Sequence, residues 1–213
     1  MGFFDFLKKR IGSMTEIVQM ADSYYTGNGV AQDYQEAVKW YRLAAEQGNP
    51  GAQFNMALMS EKGEGVAQSY QEAVKWYRMA AEQGMAMAQS NLGTLYQDGD
   101  GVARNYKEAL KWFLKAANQG LSSGQYNIGL MRHNGKGAAR DYKEALRWLH
   151  LAAKQGDANA QYQIGYMYVY GNGVTQSYKE GERWYLLALA QNHYGAEFSL
   201  NSLYDAGILR RQK

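Results

Sequence analysis

Apolar and polar residues follow one another along this chain with the spacing of short amphipathic helices. Between Ala88 and Gln97, the apolar residues are Ala88, Leu92, Gly93 and Tyr96, spaced i, i+4, i+5 and i+8. This spacing places all four residues on one face of an α-helix. After a turn that contains glycine, a second amphipathic pattern follows, in sequences such as AVKWYRLAAEQ. The pattern predicts pairs of helices joined by short loops.

Each second helix carries its own start and stop signals. A residue able to cap the helix N-terminus precedes it, and a glutamate follows three residues later, as in Asp33 and Glu36. This combination satisfies free backbone amides in the first turn. The capping residue recurs at Ser69, Asn105, Asp141 and Ser177. The helices are predicted to stop at residues that readily adopt the left-handed backbone conformation, namely Gly48, Gly84, Gly120, Gly156 and Asn192.

Both patterns repeat with a period of 36 residues. The loop GNGV at residues 27–30 recurs as GEGV, GDGV, GKGA and GNGV, and the tryptophans keep the same step at Trp40, Trp76, Trp112, Trp148 and Trp184. Periods of about 20 to 50 residues are typical of stacked repeat architectures. We therefore predict an all-α fold, a right-handed α/α superhelical solenoid of five 36-residue helical hairpins plus a C-terminal capping helix. The predicted segments are an N-terminal amphipathic segment at 1–14, a solenoid at 15–207 and a basic tail at 208–213, with repeats at 15–50, 51–86, 87–122, 123–158 and 159–194 and a half repeat at 195–207.

One position of the first helix holds a small residue in every full repeat. Gly93 is the third copy, and its equivalents are Ala21, Ala57, Gly129 and Gly165. A glycine inside a helix costs about 1 kcal/mol relative to alanine. Its presence at this position predicts a close contact between two helices.

The repeated motif resembles that of the Sel-one-like repeat family, relatives of the tetratricopeptide repeats with longer loops. The resemblance covers roughly residues 15–207, and in the third copy it is carried by Ala88, Leu92, Gly93, Tyr96, Gly99, Gly101, Val102, Tyr106, Glu108, Ala109, Trp112, Phe113, Ala116, Ala117, Gln119 and Gly120. It implies an adaptor or scaffold for protein complexes, and bacterial relatives act in signalling, host interaction and toxin neutralisation. The departures from the motif are Ser60 and Arg132 in place of tyrosine, Ala138 in place of valine and Leu189 in place of alanine.

The charge pattern argues against nucleic-acid binding. The net charge is only +3, and one cation per repeat follows a glutamate three residues earlier. Residues three apart are neighbours on a helix surface, so these glutamates are expected to pair with Lys39, Lys75, Lys111, Arg147 and Arg183.

The sequence shows no catalytic, metal or cofactor motif. It contains no cysteine, and His133, His150 and His193 have no ligand-type partner at helical spacing. The GxG loops lack the Lys-Ser/Thr of a phosphate-binding loop. We therefore expect no cofactor, no metal, no small-molecule substrate and no enzymatic activity. The lack of cysteine also fits the reducing cytoplasm.

We predict that the chain binds a protein or peptide on the concave face of the solenoid. In tetratricopeptide-like arrays this face is lined by first helices, and here its residues differ from copy to copy while the core positions stay nearly constant. Tyrosines there offer aromatic anchors, and asparagines offer hydrogen bonds to an extended backbone. The alternative for Tyr126 and Tyr162 is simple packing between first helices. The candidate binding residues are Phe54, Asn55, Leu58, Asn91, Thr94, Tyr126, Asn127, Leu130, Arg132, His133, Tyr162 and Tyr166.

The N-terminal segment allows two interpretations. Phe3, Phe4, Leu7 and Ile11 share one helix face beside a run of basic residues at 8–10, which suits an anionic membrane surface. The same apolar face suits a helix that caps the first hairpin. A membrane-associated scaffold tethered by this segment is therefore the alternative to a free adaptor.

Overall fold

The computed structural model describes residues 13–210, which fall into two compact units that divide between Asn105 and Tyr106. Across these residues the structure contains eleven α-helices and no strand. The first unit holds α1 (Met14–Thr26), α2 (Tyr34–Glu46), α3 (Pro50–Lys62), α4 (Tyr70–Glu82) and α5 (Ala86–Asp98). The second holds α6 (Tyr106–Asn118), α7 (Ser122–Asn134), α8 (Tyr142–Lys154), α9 (Ala158–Tyr170), α10 (Tyr178–Leu189) and α11 (Tyr194–Asp205).

The predicted helix signals are present in the structure. Asp33 accepts hydrogen bonds from the backbone amides of Gln35 and Glu36. Equivalent caps form at Ser69, Asp141 and Ser177. The five residues predicted to end the second helices all have positive φ angles, from 61° at Asn192 to 91° at Gly84. Local sequence therefore determines where the second helices begin and end.

In two of the first helices, the small residue lies against the second helix of the same hairpin. A Cβ atom added at Gly129 would lie 2.6 Å from Cγ of Leu149 in α8. A Cβ added at Gly165 would lie 2.6 Å from Cδ1 of Tyr185 in α10. At these two positions the predicted close helix contact is confirmed, because even a methyl group would displace a buried side chain.

Within each unit, the loop of one hairpin contacts the preceding hairpin through a glycine. Gly65 has a φ of 69°, and a Cβ atom there would overlap the carbonyl oxygen of Tyr34 at the start of α2. The same contact joins Gly101 to Tyr70, Gly137 to Tyr106 and Gly173 to Tyr142. The loop glycines therefore serve both the turn and the stacking of neighbouring hairpins.

Buried glutamines link neighbouring helices by hydrogen bonds. Gln53, which is only 1% exposed, donates to the carbonyl oxygen of Ala45 at 3.0 Å and accepts from Gln83 at 2.7 Å. Gln155 and Gln191 make the same bond to Gln125 and Gln161 in the second unit. Each buried amide is thus satisfied, which a packed interior requires.

We retain three features as predictions: the superhelical hand, the concave face and the segment boundaries at 1–14, 15–207 and 208–213. The N-terminal membrane or capping segment, with Phe3, Phe4, Leu7 and Ile11, lies outside the described residues. Within residues 13–210, no helix combines the length and apolar character needed to cross a bilayer.

We predict that Gly65→Ala destabilises the protein more than Gly29→Ala. The two glycines occupy the same loop position with φ of 69° and 77°, but no described atom lies within 4 Å of a Cβ at Gly29. Both variants carry the strain of a left-handed alanine, and only Gly65→Ala also overlaps a backbone carbonyl. Urea denaturation should show a free energy of unfolding about 1–3 kcal/mol lower for Gly65→Ala than for Gly29→Ala. Equal values would contradict the stacking role of this contact.

Candidate protein-binding groove

Aromatic side chains from α7, α9 and α11 gather in the second unit. We call the surface formed by Tyr126, Tyr162, Tyr166, Tyr170 and Phe198 the tyrosine groove. The rings of Tyr166 and Tyr170 lie 4.4 Å apart between centroids. A cavity of about 390 Å³ lies between α9 and α11 and is lined by four of these rings, all except Tyr126. The groove can therefore accept apolar side chains of a ligand.

The rings of the tyrosine groove differ in how many internal contacts they make and in how exposed they are. Tyr162 stacks on Tyr185 at 5.4 Å and on His193 at 4.6 Å. Burial raises the pKa of Tyr126, and the nearby Asp157 and Tyr162 raise it further. Tyr170 and Phe198, by contrast, are 61% and 66% exposed. Tyr126 and Tyr162 thus contribute to the fold, whereas Tyr170 and Phe198 are available to a ligand.

His133 connects α7 to α9 at one edge of the tyrosine groove. Its ring centroid lies 6.0 Å from Tyr166 and 5.2 Å from Tyr142. Its Nε2 atom is 3.3 Å from the side-chain nitrogen of Asn172. These contacts hold the Tyr166 ring in place from one side.

Two side-chain amides of the second unit are free to bind a ligand. In the first unit, Asn91 donates a 3.0 Å hydrogen bond to the hydroxyl of Tyr77, and Asn55 lies beside the hydroxyl of Tyr41. The equivalents of Tyr77 in the next two repeats are Phe113 and Leu149, which have no hydroxyl. Asn127 and Gln163, the equivalents of Asn91, accordingly make no hydrogen bond to any described residue and are half-buried. Ser199, one repeat after Gln163, lines the cavity of the tyrosine groove. The repeat therefore indicates the same side of α7 and α9 for both amides.

The predicted residues of the first unit are more fully engaged. The Phe54 ring lies 5.7 Å from that of Tyr77, which donates a 2.8 Å hydrogen bond to Glu61. Thr94 donates to the carbonyl oxygen of Ser90 at 3.3 Å. Leu58 is half-buried, as is Leu130 in the second unit. The polar groups here are occupied by the protein itself.

Arg132 is directed away from the tyrosine groove. Its Nε atom lies 2.9 Å from Oε2 of Glu144 in α8, within the same hairpin. The buried N–H is not aimed at that oxygen, so the contact is an ion pair without a hydrogen bond. Among the twelve predicted residues, Arg132 is thus placed against a second helix and not with the aromatic side chains.

The sequence analysis missed two exposed rings of the groove. Phe198 lies 36 residues after Tyr162, so the repeat itself carries the signal once it is extended into the last helix. Tyr170 stands where the earlier repeats have Thr26, Lys62, Asp98 and Asn134, so its signal is an aromatic residue at a polar position.

Known proteins share the repeat and the fold. The Sel1 repeat model matches residues 17–49, 50–85, 86–121, 122–157 and 158–193. The chain belongs to the Sel1 repeat family. Proteins of this family generally act as protein–protein interaction scaffolds. No curated protein matches this Sel1 repeat chain significantly.

Solved structures agree with this assignment. A Sel1 repeat protein from Oxalobacter formigenes is 34% identical, with a TM-score of 0.90 over 97% of this chain and 82% of its own. A protective antigen of uropathogenic Escherichia coli is 36% identical, with a TM-score of 0.88. The match covers 97% of this chain but only 45% of the antigen. An immunity protein of Pseudomonas aeruginosa is 22% identical, with a TM-score of 0.54 over 83% of this chain and 67% of its own, and shares the fold alone. The predicted all-α solenoid is confirmed by the family and by these structures.

Tyr77 should make the stability of the protein decrease in alkaline solution. Burial, together with the hydrogen bond and charge of Glu61, raises the pKa of Tyr77 well above its ordinary value of 10.0. The unfolded chain therefore loses this proton near pH 10 while the folded chain keeps it, so the free energy of unfolding falls as the pH rises above 10.

We predict that Tyr77→Phe weakens this pH dependence. Urea denaturation at pH 8 and pH 11 should show a smaller loss of stability for the variant than for the wild type. The control is Tyr70→Phe, since Tyr70 is exposed. If Tyr77→Phe loses as much stability between pH 8 and pH 11 as the wild type does, the proposed role of Tyr77 is contradicted.

Proposed function

We propose that this Sel1 repeat protein is a non-enzymatic scaffold that binds an extended segment of another protein in the tyrosine groove, as part of the concave face. The observation that supports this most is the pair of free amides at Asn127 and Gln163 beside the aromatic residues. A side-chain amide both donates and accepts hydrogen bonds, so it matches the backbone of an extended segment. The rings supply apolar contact area, which anchors protein interfaces.

The exposed rings favour a protein ligand over further packing within the chain. Phe198 and Tyr170 together present two large apolar side chains to solvent around one cavity of about 390 Å³. Exposed aromatic clusters with polar groups at their edge are typical of protein interaction sites. The polar edge here includes Ser199 and Ser202.

Photo-crosslinking tests this function directly. A benzoyl-phenylalanine at Phe198 in the full chain should form a covalent adduct with a partner protein in cells of the source organism. The matched control is the same residue at Met79 in the first unit, which is 41% exposed. Because Tyr170 borders the same cavity, we predict that Tyr170→Ser lowers the adduct yield at least about fivefold, the effect of losing roughly 1 kcal/mol of binding.

Two results would contradict the proposed function. One is an adduct pattern at Phe198 identical to that at Met79. The other is an unchanged adduct yield in Tyr170→Ser. Circular dichroism of Tyr170→Ser should match the wild type, because the exposed side chain contributes little to the core.

A further inference from the structure

A second surface of the second unit departs from the charge pattern of the other repeats. In four repeats the predicted glutamate–cation pair forms, with distances of 2.5 Å for Glu36–Lys39 and Glu72–Lys75, 2.8 Å for Glu108–Lys111 and 3.0 Å for Glu180–Arg183. In the fourth repeat, Glu144 pairs with Arg132 of α7 and also accepts a hydrogen bond from Trp148. Arg147 consequently has no ion pair or hydrogen bond with any residue in the described range. The predicted pairing of Arg147 is wrong, because Arg132 binds its expected partner.

The absence of this pair leaves α8 with uncompensated positive charge. The helix carries Lys143, Arg147 and Lys154, and its one carboxylate is neutralised by Arg132. The equivalents of Lys154 in α2 and α4 are Glu46 and Glu82, so those helices carry balanced charge. Arg132 in place of tyrosine, Lys143 in place of glutamine and Lys154 in place of glutamate all contribute to the excess of cations in this repeat.

Exposed apolar side chains border these cations. Leu151 and Leu187 are 43% and 50% exposed. The ring of His150 meets the edge of Trp184 at 5.3 Å, with 86° between the ring planes, and links α8 to α10. Two adjoining cavities of about 450 Å³ and 420 Å³ share His150, the first lined also by Arg147 and Lys154, the second by Trp184 and Leu187. We call this combined area the second-helix surface. It shares no lining residue with the tyrosine groove.

We propose that the second-helix surface binds an acidic segment of a partner protein that also carries leucine-like side chains. The two cavities receive the apolar side chains, and Arg147 and Lys154 attract the carboxylates. The pairing follows charge complementarity, which directs and orients protein association. This interface is separate from the one proposed for the tyrosine groove.

The geometry favours a protein over a lipid or nucleic-acid ligand. Leu187 lies at the cavity between α8 and α10, and Leu151 lies at the cavity on α8. Both are about half-exposed, so they receive a side chain better than they insert into a bilayer. The Trp184 ring already packs against His150, so it is not free to stack on a base. The two unpaired cations of this surface are fewer than the roughly six to ten phosphate contacts that DNA-binding proteins make.

Selection from a displayed library of random peptides tests the proposal. The probe is a library of peptides of about twelve residues, roughly three helical turns, selected on the full chain and depleted on the full-chain variant Arg147→Glu. The surviving peptides should be rich in Asp, Glu and Leu. Their affinity should fall at least about fivefold in Arg147→Gln and in Leu187→Ser, which corresponds to the loss of about 1 kcal/mol per contact. The matched control is Lys75→Gln, at the equivalent position of the first unit, and should bind them unchanged.

The variant Arg132→Tyr tests whether the unpaired state of Arg147, and not only its presence on the surface, is needed for binding. It restores the residue found at the equivalent positions Tyr96 and Tyr168, and it releases Glu144 to pair with Arg147. We expect it to weaken binding of the selected peptides about threefold to fivefold without changing a residue that lines the two cavities.

Three outcomes would overturn the proposal. The first is a selection that yields no peptides after depletion, or peptides without excess acidic residues. The second is full affinity in Arg132→Tyr or in Arg147→Gln. The third is binding of vesicles of phosphatidylglycerol and phosphatidylcholine that is lost in Arg147→Gln, since this would assign the surface to a membrane.

Discussion

In four of the loops, a glycine lies against the first turn of the preceding second helix, and this contact sets the step from one hairpin to the next. At Gly65 no side chain can be present without overlapping the Tyr34 carbonyl. Because the contact recurs at the same place in these four loops, insertions or deletions within a repeat would separate the glycine from the carbonyl that it contacts. The 36-residue period is thus a packing constraint, and Gly129 and Gly165 impose a similar constraint inside their own hairpins.

A scaffold held by such repeated contacts leaves other positions free to vary. In the first unit, Tyr77 fills one of these positions and binds both Glu61 and Asn91. In the second unit, Phe113 fills the equivalent position and leaves Asn127 without a partner. The loss of one hydroxyl therefore changes an internal hydrogen bond into a group available to a ligand. Arg132 has a comparable effect on the other surface, since its ion pair with Glu144 leaves Arg147 unpaired.

Much of the fold could be predicted from the sequence because its signals are local. The caps at Asp33 and Asp141, the left-handed stops and the helix periodicity each involve residues within one or two turns. The site depends on contacts between helices, which periodicity does not specify. Arg132 shows this clearly, since nothing in its own helix indicates that Glu144 prefers it to Arg147. Asn127 was predicted, but the reason that it is free lies in Phe113, on a different helix.

We propose that the tyrosine groove of the second unit binds a partner protein because its amides lack internal partners. The most direct test is the variant Phe113→Tyr, which supplies Asn127 with the hydroxyl that Tyr77 supplies to Asn91. The measurement is the yield of the adduct from benzoyl-phenylalanine at Phe198 in the Phe113→Tyr background, with the free energy of unfolding measured in parallel. We expect an adduct yield at least about fivefold lower, with a free energy of unfolding equal to or above that of the wild type. An undiminished yield in a stably folded variant would contradict it.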